Sequence, residues 1–224
     1  MNVNIGNNGL IVIENQYFPT INWINILFLN KDIKIDLCET YQKMSFRNRC
    51  VVAGSNGLVH LSVPLQKGRS QRQPMKDVKI SYATDWQLQH WRTIESCYGR
   101  SPFFEFYRDW LEAFYKKQPV FLADMNLEIL EWVRKQTGLE KSWEVLDRET
   151  DHPIDPRAID LRGYFMPKNF QSPERCPHPI VYTQVFEDRI GFQPNLSVLD
   201  LLCCTGPQAR LLLQNSDFFP GAKI

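Results

Sequence analysis

Charge of one sign is missing from this chain. Its 224 residues carry 26 Lys and Arg against 25 Asp and Glu, a formal net charge of +1. No overall field therefore attracts duplex nucleic acid, and any basic site has to be local. Long apolar runs are missing too. The longest, residues 21–29, is interrupted by Asn22 and Asn25 and falls well short of the roughly 20 residues that span a bilayer as a helix. The N-terminus shows no succession of charged, apolar and small residues of the kind a secretory leader has. The expectation is a cytoplasmic chain without a membrane span, whose cysteines (Cys38, Cys50, Cys97, Cys176, Cys203 and Cys204) remain thiols. CxxC and HExxH spacings, a Gly-rich phosphate loop, a Rossmann glycine pattern and a Ser nucleophile elbow are absent as well. Asp151, His152 and Asp155 are hard ligands, but Pro153 and Pro156 keep them off a common helical face. No metal and no cofactor is expected.

What is present in excess is rings. Fourteen Phe, eight Tyr and six Trp accompany fourteen Pro, in a composition that is 43% hydrophobic and 23% charged. Those proportions are globular, and the length suits a single domain with a substantial core of large plates. One α+β domain over residues 1–224 is expected. It has a β-rich part at 1–83, a helical part at 84–138, an irregular Pro-rich segment at 150–180 and C-terminal helices at 196–215.

Residues 9–15 (GLIVIEN) read as a short buried strand and residues 33–37 as a half-buried one, so the N-terminal sheet is expected to be mixed or antiparallel. Asn56-Gly57 between two apolar segments predicts a β-hairpin, because Asn-Gly supplies the positive φ angles of a type I′ turn. Residues 78–82 form another candidate strand. Beyond Thr84 the period changes to about 3.6. Thr84 and Gln87 make a capping-box pattern for a helix over 85–98, closed by Gly99. Ser101-Pro102 opens a second helix whose stripe of Phe103, Phe106, Tyr107, Trp110, Leu111 and Phe114 is expected to be mostly core. Asp124 caps a third helix ending at Gly138, Ser197 caps a fourth, and Gly206-Pro207 restarts a fifth. Nine of the fourteen prolines lie beyond residue 150, which predicts an extended segment that is ordered by packing.

Three places could carry chemistry. The run Tyr41-Gln42-Lys43-Met44-Ser45-Phe46-Arg47-Asn48-Arg49-Cys50 gathers donors, two guanidinium groups and a thiol. It reads either as an anion-holding segment or as a solvated basic turn before a strand. His90 sits at the margin of an apolar helix face and is either a general base or a core imidazole. Cys50 is either a nucleophile with cationic neighbours or a buried structural thiol.

Motifs then recur in a recognisable order. They are Tyr17-Phe18-Pro19, Tyr41-Gln42-Lys43, Arg47-Asn48-Arg49-Cys50, Leu61-Ser62-Val63-Pro64, Asp77-Val78-Lys79-Ile80, Trp86 and His90-Trp91-Arg92-Thr93-Ile94. Tyr98, Ser101-Pro102-Phe103-Phe104-Glu105, Asn126-Leu127 and Gly191-Phe192-Gln193-Pro194-Asn195-Leu196-Ser197 with Asp200 complete them. Over most of residues 10–138 and 182–206 this order resembles the WbqC-like protein family, in the form typical of Bacteroidetes. Many relatives carry Met-Gln-Pro-Tyr where this chain has Glu14-Asn15-Gln16-Tyr17, so Gln16 is not equated with their glutamine.

The resemblance implies a role in surface-polysaccharide synthesis of the O-antigen type. The reaction it implies is transfer of an aminoacyl or acyl group, glycine among them, onto an amino sugar. On that implication His90, Cys50 and Asn48 are the catalytic residues: a base, a covalent nucleophile and an oxyanion donor. Tyr17, Tyr41, Gln42, Lys43, Arg47, Arg49, Tyr98 and Asn195 would hold a nucleotide sugar or an activated acyl donor. Two rivals stand beside it. One is a non-catalytic module that binds a sugar nucleotide or a partner protein, and the other is a thiol hydrolase built on Cys50 and His90.

Overall fold

A computed structural model describes residues 9–68, 71–148 and 155–216. In chain order the N-terminal half contains β1 (Ile11–Glu14), α1 (Ile21–Leu29), β2 (Ile33–Asp36), β3 (Arg49–Gly54), β4 (Gly57–Ser62), α2 (Trp86–Tyr98) and α3 (Phe104–Tyr115). There follow α4 (Leu122–Thr137), β5 (Glu144–Leu146), β6 (Ile159–Asp160), α5 (Glu187–Ile190), α6 (Val198–Thr205) and α7 (Gln208–Gln214). The mixture of strands and helices is α+β, and the two strand orientations occupy separate sheets. Among the described residues, no helix is long and apolar enough to cross a membrane.

The larger sheet is parallel, in the order β5-β2-β1-β6. β1 and β2 are neighbours, with Ile11 opposite Ile33 and Glu14 opposite Asp36. All four residues of β1 are buried, as strands covered on both faces require. The connection between them is α1, over the stretch that had stood out as the longest apolar run. Every residue of α1 except Leu29 is buried, so it has no polar face and no 3.6-residue stripe to betray it. Its two asparagines are interior. Asn25 Nδ2 donates to the Leu213 carbonyl at 2.6 Å and Asn22 Nδ2 to Cys176 Sγ at 3.3 Å, tying α1 to α7 and to the irregular segment.

The hairpin β3–β4 forms as expected, with a shifted turn. Gly54 pairs with Gly57, so the reversal falls on Ser55-Asn56 rather than on Asn56-Gly57. The positive φ, +131°, belongs to Gly57 alone. The strand expected at 78–82 does not form. A 3₁₀ turn at Met75–Asp77 precedes it, and isolated bridges from Leu65 to Ile80 and from Lys79 to Phe121 stand in its place.

The helical part places the aromatic excess. Trp110 stacks on Trp132 with centroids 4.3 Å apart and planes 8° from parallel, and Phe114 continues the stack on Trp110 at 5.0 Å. Tyr107 meets Trp132 edge-on at 5.7 Å. Phe106, counted above in the buried stripe, is instead 79% exposed, and Phe104 and Tyr115 are buried. The helix begins at Phe104, and its buried face carries Phe104, Tyr107, Leu111, Phe114 and Tyr115. Two caps also differ from expectation. Gln87 Nε2 donates to the carbonyls of Tyr115 and Lys117 instead of closing a capping box, and Asp124 lies in the first turn of α4 without capping it. Gly138 at φ +62° and Ser197, whose hydroxyl accepts from Leu199 N–H, cap as the sequence predicts.

Between α6 and α7, Gly206 has φ +52°, and a Cβ built there would lie 2.3 Å from Phe103 Cδ1. Positive φ and a ring at that distance each penalise a side chain. Gly206→Ala is expected to cost about 2–4 kcal/mol in urea unfolding, and Phe103→Leu in the same chain should recover part of the loss. Equal stability of Gly206→Ala and the parent would show that this junction is not close-packed.

Candidate functional site

A parallel sheet collects the carboxyl ends of its strands along one edge. Where chain connections leave a strand in opposite directions, that edge opens a crevice. β1 is such a strand, with β2 on one side and β6 on the other. Here three strands end in acids: Glu14 on β1, Asp36 on β2 and Asp160 on β6. Glu39 follows β2 by three residues. Like charges in a dry setting repel and lose hydration, so they persist only with cations and hydrogen-bond donors around them.

The chain supplies both. Arg47, 1% exposed, is a two-pronged partner of Glu39: Nε donates to Oε1 at 2.7 Å and Nη2 to Oε2 at 2.5 Å. Its Nη1 donates to Gln42 Oε1 at 3.3 Å. Arg162 reaches across β1, with Nη1 2.5 Å from Asp36 Oδ2 and Nη2 2.5 Å from Asp160 Oδ2. Glu14 receives Gln16 Nε2 at 2.6 Å and the Gly163 backbone N–H at 2.9 Å. The turn carrying Arg162 and Gly163 thus closes over the edge, and a Cβ on Gly163 would sit 3.0 Å from Gln42 Oε1. Burial pushes the Glu39 carboxyl up, Arg47 opposes the shift, and the charges of Glu14 and Asp36 add to it, leaving it at about 7. A carboxyl that titrates near neutrality can both take and return a proton.

In many parallel-sheet proteins the first helix after β1 receives a phosphate at its N-terminus. In this chain the position is filled from within. Asn195 Oδ1 accepts from Asn22 N–H at 2.9 Å, and the Leu196 carbonyl accepts from Ile21 N–H at 2.9 Å. The other end of the Asn195 amide donates to the Phe170 carbonyl at 2.8 Å. Asn195 therefore joins α1 to the irregular segment, with both ends of its amide engaged.

The expected site residues are dispersed among several clusters. Arg47 and Gln42 enter the carboxylate cluster. Lys43 is exposed beside them, and Arg49, half-buried, places Nη2 3.8 Å from Met44 Sδ. Asn48 is internally satisfied, accepting from Tyr41 hydroxyl at 3.0 Å and donating to the Val63 carbonyl at 2.8 Å, so its amide is not an open oxyanion donor. Tyr98 hydroxyl donates to Asp200 Oδ1 at 2.8 Å, in a buried network that Tyr182 joins through Oδ2 at 2.5 Å.

His90 lies in the interior. Its Nδ1 is 3.0 Å from the Tyr17 hydroxyl, which is 2.6 Å from that of Tyr115, and the Trp86 ring covers it edge-on at 5.0 Å. Burial drives the imidazole down to about 4, against a backbone hydrogen bond to Ser62 that opposes the shift. That geometry matches the core imidazole rather than a base facing solvent. Cys50 is 1% exposed, and burial pushes its thiol well above the ordinary range despite a hydrogen bond from Ser197. Burial and a raised thiol both favour the structural reading of Cys50 over the nucleophile of a thiol hydrolase. Residues 151–154, with their hard ligands, fall outside the described residues.

Glu14, Asp36, Glu39, Asp160 and Arg162 were not singled out from the sequence. The available signal was positional: both early strands end on an acid, as in IVIE and IKID. Its meaning depends on the strands being parallel neighbours, which puts those ends side by side.

The buried imidazole has a consequence for acid stability. His90 titrates at about 4 when folded and near 6.5 when unfolded, so between those values the unfolded chain binds more protons. Stability is complete above pH 6.5 and falls as the pH drops towards 4, by roughly 3 kcal/mol from this group. Urea unfolding at pH 7 and pH 4.5 should show a smaller difference for His90→Gln than for the parent. An unchanged difference would mean that His90 charges freely in the fold.

Comparison with known proteins agrees with the motif order. The model of the WbqC-like protein family matches residues 15–160. The uncharacterized protein Rv1507c of Mycobacterium tuberculosis is 27% identical over 226 residues, covering 88% of this chain and 94% of that protein. No solved structure matches significantly. The match takes in β1's exit loop, the Glu39–Arg47 pair, the hairpin and the helices through α4, and on it the chain belongs to the WbqC-like protein family.

Proposed function

We propose that this protein is a transferase of surface-polysaccharide precursor synthesis, moving an aminoacyl or acyl group onto the amine of an amino sugar at the carboxyl edge of the parallel sheet. The observation that carries the reading is Glu39, a buried carboxyl at about 7 held in a two-pronged pair with Arg47. Acyl transfer to an amine needs one group that takes a proton from the attacking nitrogen and returns it to the leaving group. Glu39 fits that cycle, whereas a carboxyl at its ordinary value would be a weak base and a poor acid at neutral pH. Arg47 holds the carboxylate in one orientation, and Arg162 pairs with the neighbouring acids Asp36 and Asp160. Substrate entry requires the turn at 162–164 to move, because Gly163 N–H and Arg162 now occupy Glu14 and Asp36.

In this reading the amine attacks the acyl carbonyl and forms the carbon–nitrogen bond. Glu39 accepts the amine proton, and the tetrahedral adduct collapses as the leaving group departs with that proton. The reaction is tested with purified protein, an aminoacyl or acyl donor and an amino-sugar nucleotide, with product detected by its mass gain of one acyl group. The expected kcat/KM rises through an acid limb near pH 7, and Glu39→Gln lowers it by about 10²–10⁴-fold and abolishes the limb. Because Glu39→Gln also removes a charge from a buried pair, the limb of the parent enzyme is the independent measurement. A pH-independent rate across 5.5–8.5, or full turnover by a folded Glu39→Gln chain, would sink the assignment. Stabilisation by the sugar nucleotide with no product over long incubation would favour the binding module.

A further inference from the structure

The hairpin leads away from the carboxylate cluster. β3 starts at Arg49, two residues after Arg47, and ends at Gly54, so at about 3.3 Å per residue its tip lies roughly 15–20 Å from that start. There the tip, the last turns of α2 and the short α5 enclose a groove of about 1070 Å³, which shares no lining residue with the cluster. Three guanidinium groups line it: Arg92 on α2, Arg100 just beyond the end of α2, and Arg189 on α5. All three are exposed, and among the described residues none has a hydrogen-bond or ion-pair partner for its side chain. Glu95 is the acidic side chain among the described lining residues, and its carboxylate is 3.0 Å from Arg108 Nη2, so its charge is already engaged.

In a chain of net charge +1, three unpaired guanidinium groups facing one concavity form a local concentration of positive charge. Guanidinium forks match phosphate oxygens in pairs. The lining also includes the apolar side chains of Val185, Phe186 and Leu58, which suit a ring rather than an inorganic ion. The volume is that of a site for a nucleotide-sized molecule. We infer that this groove binds a nucleoside diphosphate, with its two phosphates on Arg92, Arg100 and Arg189 and its nucleoside against Phe186 and Val185. The separation from Glu39 makes it a second site rather than part of the sheet-edge cluster.

Isothermal titration of the full chain with UDP, ADP and inorganic pyrophosphate at low ionic strength tests the inference, and it requires no turnover, so it stands apart from the transferase reading. One nucleoside diphosphate should bind with 1:1 stoichiometry and at least about tenfold more tightly than pyrophosphate, with affinity falling as salt is added. Arg92→Ala with Arg189→Ala should weaken it by at least about tenfold at unchanged melting temperature, since both side chains are exposed and unpartnered. Phe186→Ala should bring the nucleotide down towards pyrophosphate and leave pyrophosphate unaffected. The inference is overturned if neither nucleotide binds at millimolar concentration, if binding survives the double arginine variant, or if pyrophosphate binds as tightly as the nucleotides.

Discussion

A guanidinium group that is 1% exposed depends on the acceptors around it, and the Arg47–Glu39 pair is the constraint on which the carboxyl edge of the sheet depends. Removing one partner would strand the other charge away from water, a cost of several kcal/mol. The need to satisfy these groups explains much of the surrounding chain. Gln42 takes the remaining arm of Arg47, and Asn126 on α4 donates to the Arg47 carbonyl at 2.8 Å. Arg162 reaches across β1 to Asp36, which is 0% exposed, and gives its carboxylate a cation. Within the described part of the Pro-rich segment, Arg162 and Gly163 supply donors that these acids need.

A second layer of constraint ties α6 to the middle of the chain. Asp200 on α6 accepts from Tyr98 on α2 and from Tyr182 in the segment before α5, and burial raises its carboxyl while the two hydroxyls and Gln184 oppose the shift. Tyr98 hydroxyl also accepts from Ala53 N–H at 3.2 Å. One carboxylate thereby fixes the hairpin, α2, α6 and the irregular segment relative to each other. The apolar side of the fold is stiffened by the Trp110, Trp132 and Phe114 stack. Large flat rings fill such space with little loss of side-chain entropy per unit of buried area.

Particular residues show how far the sequence could be read. Hairpin, α2, α4 and α6 were legible from period and turn chemistry, and α4 and α6 also from one cap each, Gly138 and Ser197. α1 was not, since a helix buried all round loses the amphipathic signal and its Asn22 and Asn25 look like interruptions. Phe106 was placed in the core because aromatic residues at helical spacing cover more of the helix surface than one buried face, and only packing against neighbouring elements decides which of them are covered. Among site residues, Arg47 and Gln42 stood out by their motif. His90 and Cys50 stood out equally, but their chemistry is set by burial, which no spacing in the sequence encodes.

The sequence by itself determined the α+β class, the positions of most helices, the hairpin and, through the order of its motifs, membership in the WbqC-like family. Tertiary structure alone decided that β1, β2 and β6 run side by side in parallel. That arrangement brings Glu14, Asp36, Asp160 and Glu39 from four places in the chain to one edge, under Arg47 and Arg162. The physical reason is range. Propensity, capping and periodicity act over a few residues, whereas Coulomb attraction and the loss of water act on distance in space, whatever the separation along the chain.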